Sequence, residues 1–391
     1  MANQSLKFLI VFGPIRAGKT LIARALNMHP NISVQQEPFF YFFKLCRNIF
    51  HRDILKNQFD GSQPIETDFC KERKEKELFA EFFPKLMFSE NDILELIKLT
   101  RWQQESAGTI RAPKVLKYID SLKQSNAKDV LVQLLEMLNK AYPKDDQIYV
   151  GFTEAWLDDY IIHLLNLPGL DFKCIHSLRD PRSVIASRNA GNNWKKYNGK
   201  YPILFLIRNY RKSIAYSIIN KNNPNYFMLR YEDLVESPNL WFNKICNHLD
   251  IPFSEDIMHP DTYIDGVGNL WKQNTNYEKK SSGFSTNSID KWKTVLSNEE
   301  INFIESLCHR EMNFCNYQLC NNEHQLSDIT SFQEDSDLIV NWLKKYNLSI
   351  NDRDLALEIV RDYWLNNDNH ITKDIMDYFF ISEKVYMTLK Q

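Results

Sequence analysis

KFLIVFGPIRAGKT, residues Lys7 to Thr20, decides how the rest of the chain is read. Its first part, Phe8-Leu9-Ile10-Val11-Phe12, is apolar and β-leaning, with no polar alternation. Such a run predicts a central strand buried on both faces of a parallel sheet. Gly13 to Thr20 follows and fits G-x-x-x-x-G-K-[ST]. A helical period comes next, at Leu21, Ile22, Ala25, Leu26 and Met28. Strand, glycine-bounded loop and helix start are the parts of a phosphate cradle: loop N–H groups converge on an anion and the helix dipole favours its charge. The competing reading is a tight strand–helix turn with Arg16 and Lys19 solvated.

The chain of 391 residues is long enough for a large core, and its formal net charge of −2 offers no global field for nucleic acid or an anionic membrane. Aromatic residues make up 13% while Gly and Pro number 11 and 14, the composition of a folded chain. No run approaches the roughly 18 apolar residues of a membrane span. The first strand starts about six residues in, leaving no room for a leader, so a cytoplasmic protein is expected. Seven cysteines without regular spacing point to free thiols. Cys308, His309, Cys315, Cys320 and His324 match no usual zinc spacing, and no metal is expected there.

Further along, the first helix should run to about His29, where Pro30 stops it. Ile32-Ser33-Val34 is a short strand delivering Glu37-Pro38. Residues 39–147 carry no strong strand and read as a helical insertion, with an amphipathic helix over Asp129 to Ala141 and a charged, solvated run from Lys71 to Glu77. Strands are expected at 148–152, 172–178 and 226–229, with a crossover helix from Glu154 to Leu167 and another from Ser183 to Asn189. Strands alternating with helices predict an α/β fold: a P-loop-type parallel sheet flanked by helices. Residues 1–320 should form the nucleotide-binding domain. Residues 325–391, with stripes such as Leu355, Ile359, Val360, Tyr363 and Trp364, should form a helical C-terminal extension. Ligands of such sheets lie beyond the carboxyl ends of the strands, where the loop, Glu37, Arg179 and Tyr231 all fall.

Two basic clusters stand out. Arg16 and Lys19 lie in the first loop, and Arg179, Ser187 and Arg188 at the junction of a strand and a helix. A hydroxyl beside guanidinium groups suits a second phosphate. Two separate anion sites suggest a nucleotide phosphorylated at both ends of its ribose. For Arg182 a plain surface charge is as good a reading as a phosphate ligand.

The segments GPIRAGKTLIARALNMHPNISVQQEP, FKCIHSLRDPRSVIASR, YFMLRYEDLVESP and IDKWKTVLSNEEINFIESLCHREMNFCNY resemble the successive motifs of sulfotransferases that use 3′-phosphoadenosine 5′-phosphosulfate (PAPS). The resemblance runs over about residues 6 to 318. The Glu-Pro after the second strand resembles the carbohydrate sulfotransferases in particular. It implies that Arg16 and Lys19, with the loop from Gly13 through Ala17, Gly18 and Thr20, hold the 5′-phosphosulfate. Arg179 and Ser187, with Arg188, hold the 3′-phosphate, and Tyr231 and Trp292 neighbour the nucleotide. Glu37 matches a carboxylate that serves some members as general base; His29, His51 and His176 are its rivals. The acceptor is a hydroxyl, on a carbohydrate or other small molecule first, with tyrosyl or lipid hydroxyls also open. No metal is required.

Lys19 departs from the family, which usually has a hydroxyl residue there. The loop then equals that of ATP- and Mg²⁺-dependent phosphotransferases, the second reading. Against it, the strand 172–178 runs into Arg179-Asp180-Pro181 rather than a bare metal-holding acid. A third reading is an inactive nucleotide-binding scaffold whose C-terminal helices bind a partner. The oligomeric state is not legible.

Overall fold

A computed structural model of the chain describes residues 6–63, 65, 73–107, 111–190, 199–271, 283–321, 326–344, 352–367 and 370–391. Five strands, β1 (Lys7–Phe12), β2 (Ile32–Gln36), β3 (Tyr149–Thr153), β4 (Phe172–Leu178) and β5 (Tyr226–Arg230), form one sheet in the order β2-β3-β1-β4-β5. Every pairing is parallel. β1 lies at the centre, and its residues alternate between two apolar cores as strand geometry requires. Ile10 and Phe12 enter the core on one face, Leu9 and Val11 the core on the other. That is why the run carries no polar alternation.

The helix after the loop, α1, spans Lys19–Leu26, shorter than expected. Met28 and His29 close tighter turns onto Ala25 and Leu26 before Pro30. The insertion contains α2 (Phe40–Ile49), α3 (Arg73–Phe82), α4 (Glu90–Ala107) and α5 (Ala127–Ala141). Its run from Lys71 to Glu77 departs from a purely solvated face, because Lys76 donates to the Asp377 carbonyl at 2.9 Å; Lys71 and Glu72 lie outside the described residues.

The crossover helix expected from Glu154 begins later, as α6 (Asp158–Leu165). Trp156 takes a left-handed backbone, φ 65°, which an L-residue cannot carry inside a right-handed helix. α7 spans Pro181–Asn189, with the Asp180 side chain capping it by accepting from the Arg182 N–H. A long helix, Ile203–Asn220, has no counterpart in the sequence reading; fifteen of its eighteen residues are buried.

The C-terminal extension joins the main core. Leu365, Phe380, Val385 and Tyr386 share the buried cluster that holds Phe12, Phe43 and Ile214. The helix Asp352–Asn366 packs Leu355, Ile359 and Trp364 of its apolar stripe on that core, but part of the stripe faces out and charged residues face in. Val360 and Tyr363 are exposed, while Glu358 and Arg361 are buried. Arg208 and Arg211 of the long helix pair with Glu358 at 2.7 and 2.6 Å, which accounts for a charged face turned to the core. No helix among the described residues is long and apolar enough to cross a membrane.

Candidate active site at the strand ends

Each strand hands one segment to the same edge of the sheet: Gly13 after β1, Glu37 after β2, Glu154 after β3, Arg179 after β4 and Tyr231 after β5. The registers Val11 with Thr153 and Gln36 with Thr153 align three of these ends.

The loop after β1 is closely packed. Gly18 has φ 84°, and a Cβ there would lie 2.3 Å from the Tyr231 ring, so both conformation and space demand glycine. Ala17 is fully buried, its carbonyl accepting the Ser177 hydroxyl. Lys19 turns back over the loop, donating to the carbonyls of Gly13 at 2.9 Å and Pro14 at 2.7 Å. Burial pulls its pKa down to about 8. No described side chain caps the first N–H groups of α1, which starts at Lys19 and Thr20. Those donors are of the kind that a phosphate satisfies.

The two basic clusters, distant in sequence, touch. Arg16, left-handed at φ 65°, donates from Nε to the Ser187 hydroxyl at 3.1 Å, and its carbonyl accepts from Arg179 at 2.9 Å. Arg179 lies over the Tyr231 ring at 4.6 Å and donates to the Ser288 carbonyl. Its buried Nε has no hydrogen-bond partner among the described residues. Arg16, Ser187, Arg179 and Tyr231 therefore form one group.

Two other candidates form cation–π pairs of their own. Arg188 stacks on Tyr201 at 3.7 Å. Trp292 is buried under the Arg182 guanidinium at 3.9 Å, in a small apolar cluster with Ala186 and Ile301. Arg182 itself is neither a surface charge nor a phosphate ligand. It is 3% exposed and paired with Asp180 and Glu305 at 2.6 and 2.5 Å.

Glu37 is left-handed too, φ 44°, and its carboxylate pairs with Arg111 at 3.2 Å. Gln103 and Gln104 of α4 both donate to its carbonyl, at 3.2 and 3.1 Å. Strained residues of this kind gather at functional sites. The rival histidines are engaged elsewhere. His29 bridges the Pro252 carbonyl and the Asn31 N–H. His51 stacks on Phe59 and bonds Asn57. His176 is wholly buried against Phe12, Tyr226 and Ser213, and burial holds its pKa well below the usual imidazole value.

Sequence reasoning missed Arg111, Gln103, Gln104 and Glu154. The first three lie in the insertion, where no motif marks them. Glu154 could have been found by ending β3 where its partner β2 ends. Among the described residues no group of three or more His, Cys, Asp or Glu is arranged to hold a metal; His324 lies outside them.

Residues 162–316 match the family model described as "Sulfotransferase domain". The match takes in Arg179, Ser187, Arg188, Tyr231 and Trp292, and begins after the 7–20 loop, Glu37 and Glu154. Carbohydrate sulfotransferase 1 of Mus musculus is 25% identical over 182 residues, 42% of this chain and 43% of that protein. Its Homo sapiens counterpart is 23% identical over 184 residues, with the same coverage. The chain thus spans less than half the length of these relatives. Among solved structures, the sulfotransferase domain of the Synechococcus PCC 7002 olefin synthase aligns with 86% of this chain and 98% of its own at a TM-score of 0.44 and 15% identity.

Proposed function

We propose that this chain, which carries a sulfotransferase domain over residues 162–316, moves a sulfuryl group from PAPS to an acceptor hydroxyl. The observation that carries the reading is the single group formed by Arg16, Ser187 and Arg179 beside the loop that Lys19 closes. Its cations suit a nucleotide with phosphates at both ends of one ribose. The uncapped start of α1 and the bare Nε of Arg179 fit such an anion as well.

The loop and Lys19 then receive the 5′-phosphosulfate, while Arg179 and Ser187 receive the 3′-phosphate. Arg188 can join them at the 3′-phosphate, while Trp292 packs on α7 at Ala186 and Arg182. The acceptor oxygen attacks sulfur; the new S–O bond forms as the bond from sulfur to the phosphate oxygen breaks. Glu37 takes the hydroxyl proton, and adenosine 3′,5′-bisphosphate leaves with its charge held by Arg16 and Lys19. Positioning and positive charge supply the catalysis. The likeness to carbohydrate sulfotransferases makes a sugar hydroxyl the first acceptor to test.

Calorimetry tests the donor. Adenosine 3′,5′-bisphosphate should bind without added metal and more tightly than ATP with Mg²⁺; the opposite order favours the phosphotransferase reading that Lys19 permits. Labelled PAPS offered with oligosaccharides then tests transfer. Glu37→Gln should keep the bisphosphate affinity and lose turnover, and unchanged turnover moves the base elsewhere.

A further inference from the structure

Glu154 is a strand-end carboxylate to which the mechanism above gives no role. It stands one residue past Thr153, as Glu37 stands one past Gln36, and these two strand ends are paired. The Glu37 N–H donates to the Thr153 carbonyl at 2.9 Å, which keeps the two glutamates side by side. Glu154 is completely buried. Its Oε1 accepts the Phe39 N–H at 2.7 Å, and its Oε2 has no partner among the described residues.

The segment Glu37-Pro38-Phe39 is therefore gripped at two points. Gln103 and Gln104 hold the Glu37 carbonyl, and Glu154 holds the Phe39 N–H. Between them lies the left-handed Glu37, a backbone that reverts unless its surroundings over-determine it. The charged groups acting on Glu154 are Glu37, Arg111 and Lys19. Burial first, and then the neighbouring Glu37, raise its pKa well above the usual carboxylate range. A buried carboxylate with one oxygen bare, next to a second carboxylate, is the arrangement in which one of the two keeps its proton.

We propose that Glu154 is a positioning residue that works as a neutral carboxylic acid: it fixes the turn that aims Glu37, and it adds no second charge beside Glu37. The fixing role rests on the geometry alone; the consequence for turnover rests on Glu37 being the base. A second charge at this point would repel the phosphosulfate that Lys19 and Arg16 attract.

Two variants of the full chain, Glu154→Gln and Glu154→Leu, test this. Glutamine keeps an oxygen for the Phe39 N–H and carries no charge; leucine offers no acceptor. Two readouts need no activity. The infrared difference spectrum of the wild type at neutral pH should contain the carbonyl stretch of a protonated carboxyl that vanishes in Glu154→Gln. Hydrogen exchange of the Phe39 amide should stay slow in Glu154→Gln and become fast in Glu154→Leu. Absence of that band, or equal Phe39 protection in both variants, overturns the proposal. In turnover, Glu154→Gln should keep most of kcat, while Glu154→Leu should lose up to about 10²-fold through misplacement of Glu37, with KM for PAPS little changed. If Glu154→Gln is as inactive as Glu154→Leu, the charged form is needed and the proposal fails. If Glu154→Leu does not fold, the band and the Glu154→Gln turnover decide. If the wild type moves no sulfuryl group at all, the function fails while the infrared and exchange results still judge Glu154.

Discussion

Arg179 is the residue whose loss separates the two ends of the proposed donor. Arg179→Ala should weaken adenosine 3′,5′-bisphosphate by about 1.5–3 kcal/mol, the worth of a hydrogen bond to a charged group. An analogue lacking the 3′-phosphate should lose little, and titration of both by calorimetry checks it. Lys19 makes a pH prediction. Its pKa of about 8 lies below the ordinary 10.5 because burial disfavours the cation. As pH rises through 8 the free protein loses this charge, so bisphosphate binding should weaken there. Binding should also take up protons, read by calorimetry in buffers of different ionisation enthalpy. The sign for stability is opposite. Between about 8 and 10.5 the unfolded chain holds the extra proton, so this group makes stability rise with pH across that window. At this scale the sequence tells much about the placement of Lys19, Arg16 and Arg179, because each follows a run that reads as a buried strand. It tells nothing about Arg111, which reaches Glu37 from an insertion with no motif of its own.

Among the elements, α7 shows why a basic residue after a strand is hard to assign. Arg179 and Arg182 are three apart, yet one joins the candidate site and the other is locked between Asp180, Glu305 and the face of Trp292. Arg182→Ala leaves two buried carboxylates without their cation and should cost about 3–5 kcal/mol in denaturant unfolding. The strands were legible because burial on both faces erases polar alternation; β4 coincides with the expected 172–178. The same erasure hid the helix Ile203–Asn220. Asn209, Lys212, Ser213 and Ser217 are buried along with its apolar residues, so no stripe marks its face. Lys212 is buried because it meets Asp159 at 2.9 Å, a pairing no local pattern announces.

At the level of the whole molecule, the expected boundary near residue 320 is bridged by charge as well as by apolar packing. Arg208 pairs with Asp354 and Glu358, Arg211 with Glu358, and Arg361 with Glu311. Lys76 of the insertion reaches the extension as well. We expect calorimetric unfolding to show one transition for sheet, insertion and extension together. Glu358→Ala should lower its Tm, since the loss leaves Arg211 without this carboxylate and Arg208 with Asp354; a separate early transition would mean the extension melts alone.

The strand order also governs when the loop after β1 can take its shape. β1 leaves the ribosome before both of its neighbours, β3 and β4, and Phe8 waits for Val150 on one side and Phe172 on the other. Until synthesis has passed β4, Phe8-Leu9-Ile10-Val11-Phe12 lacks at least one of its two partner strands and keeps an open apolar edge. Such non-local pairing folds slowly and invites aggregation. β1 therefore depends on chaperone cover while it waits for its partners, and translation arrested short of β4 yields a chain with the whole loop motif and no folded strand-end site.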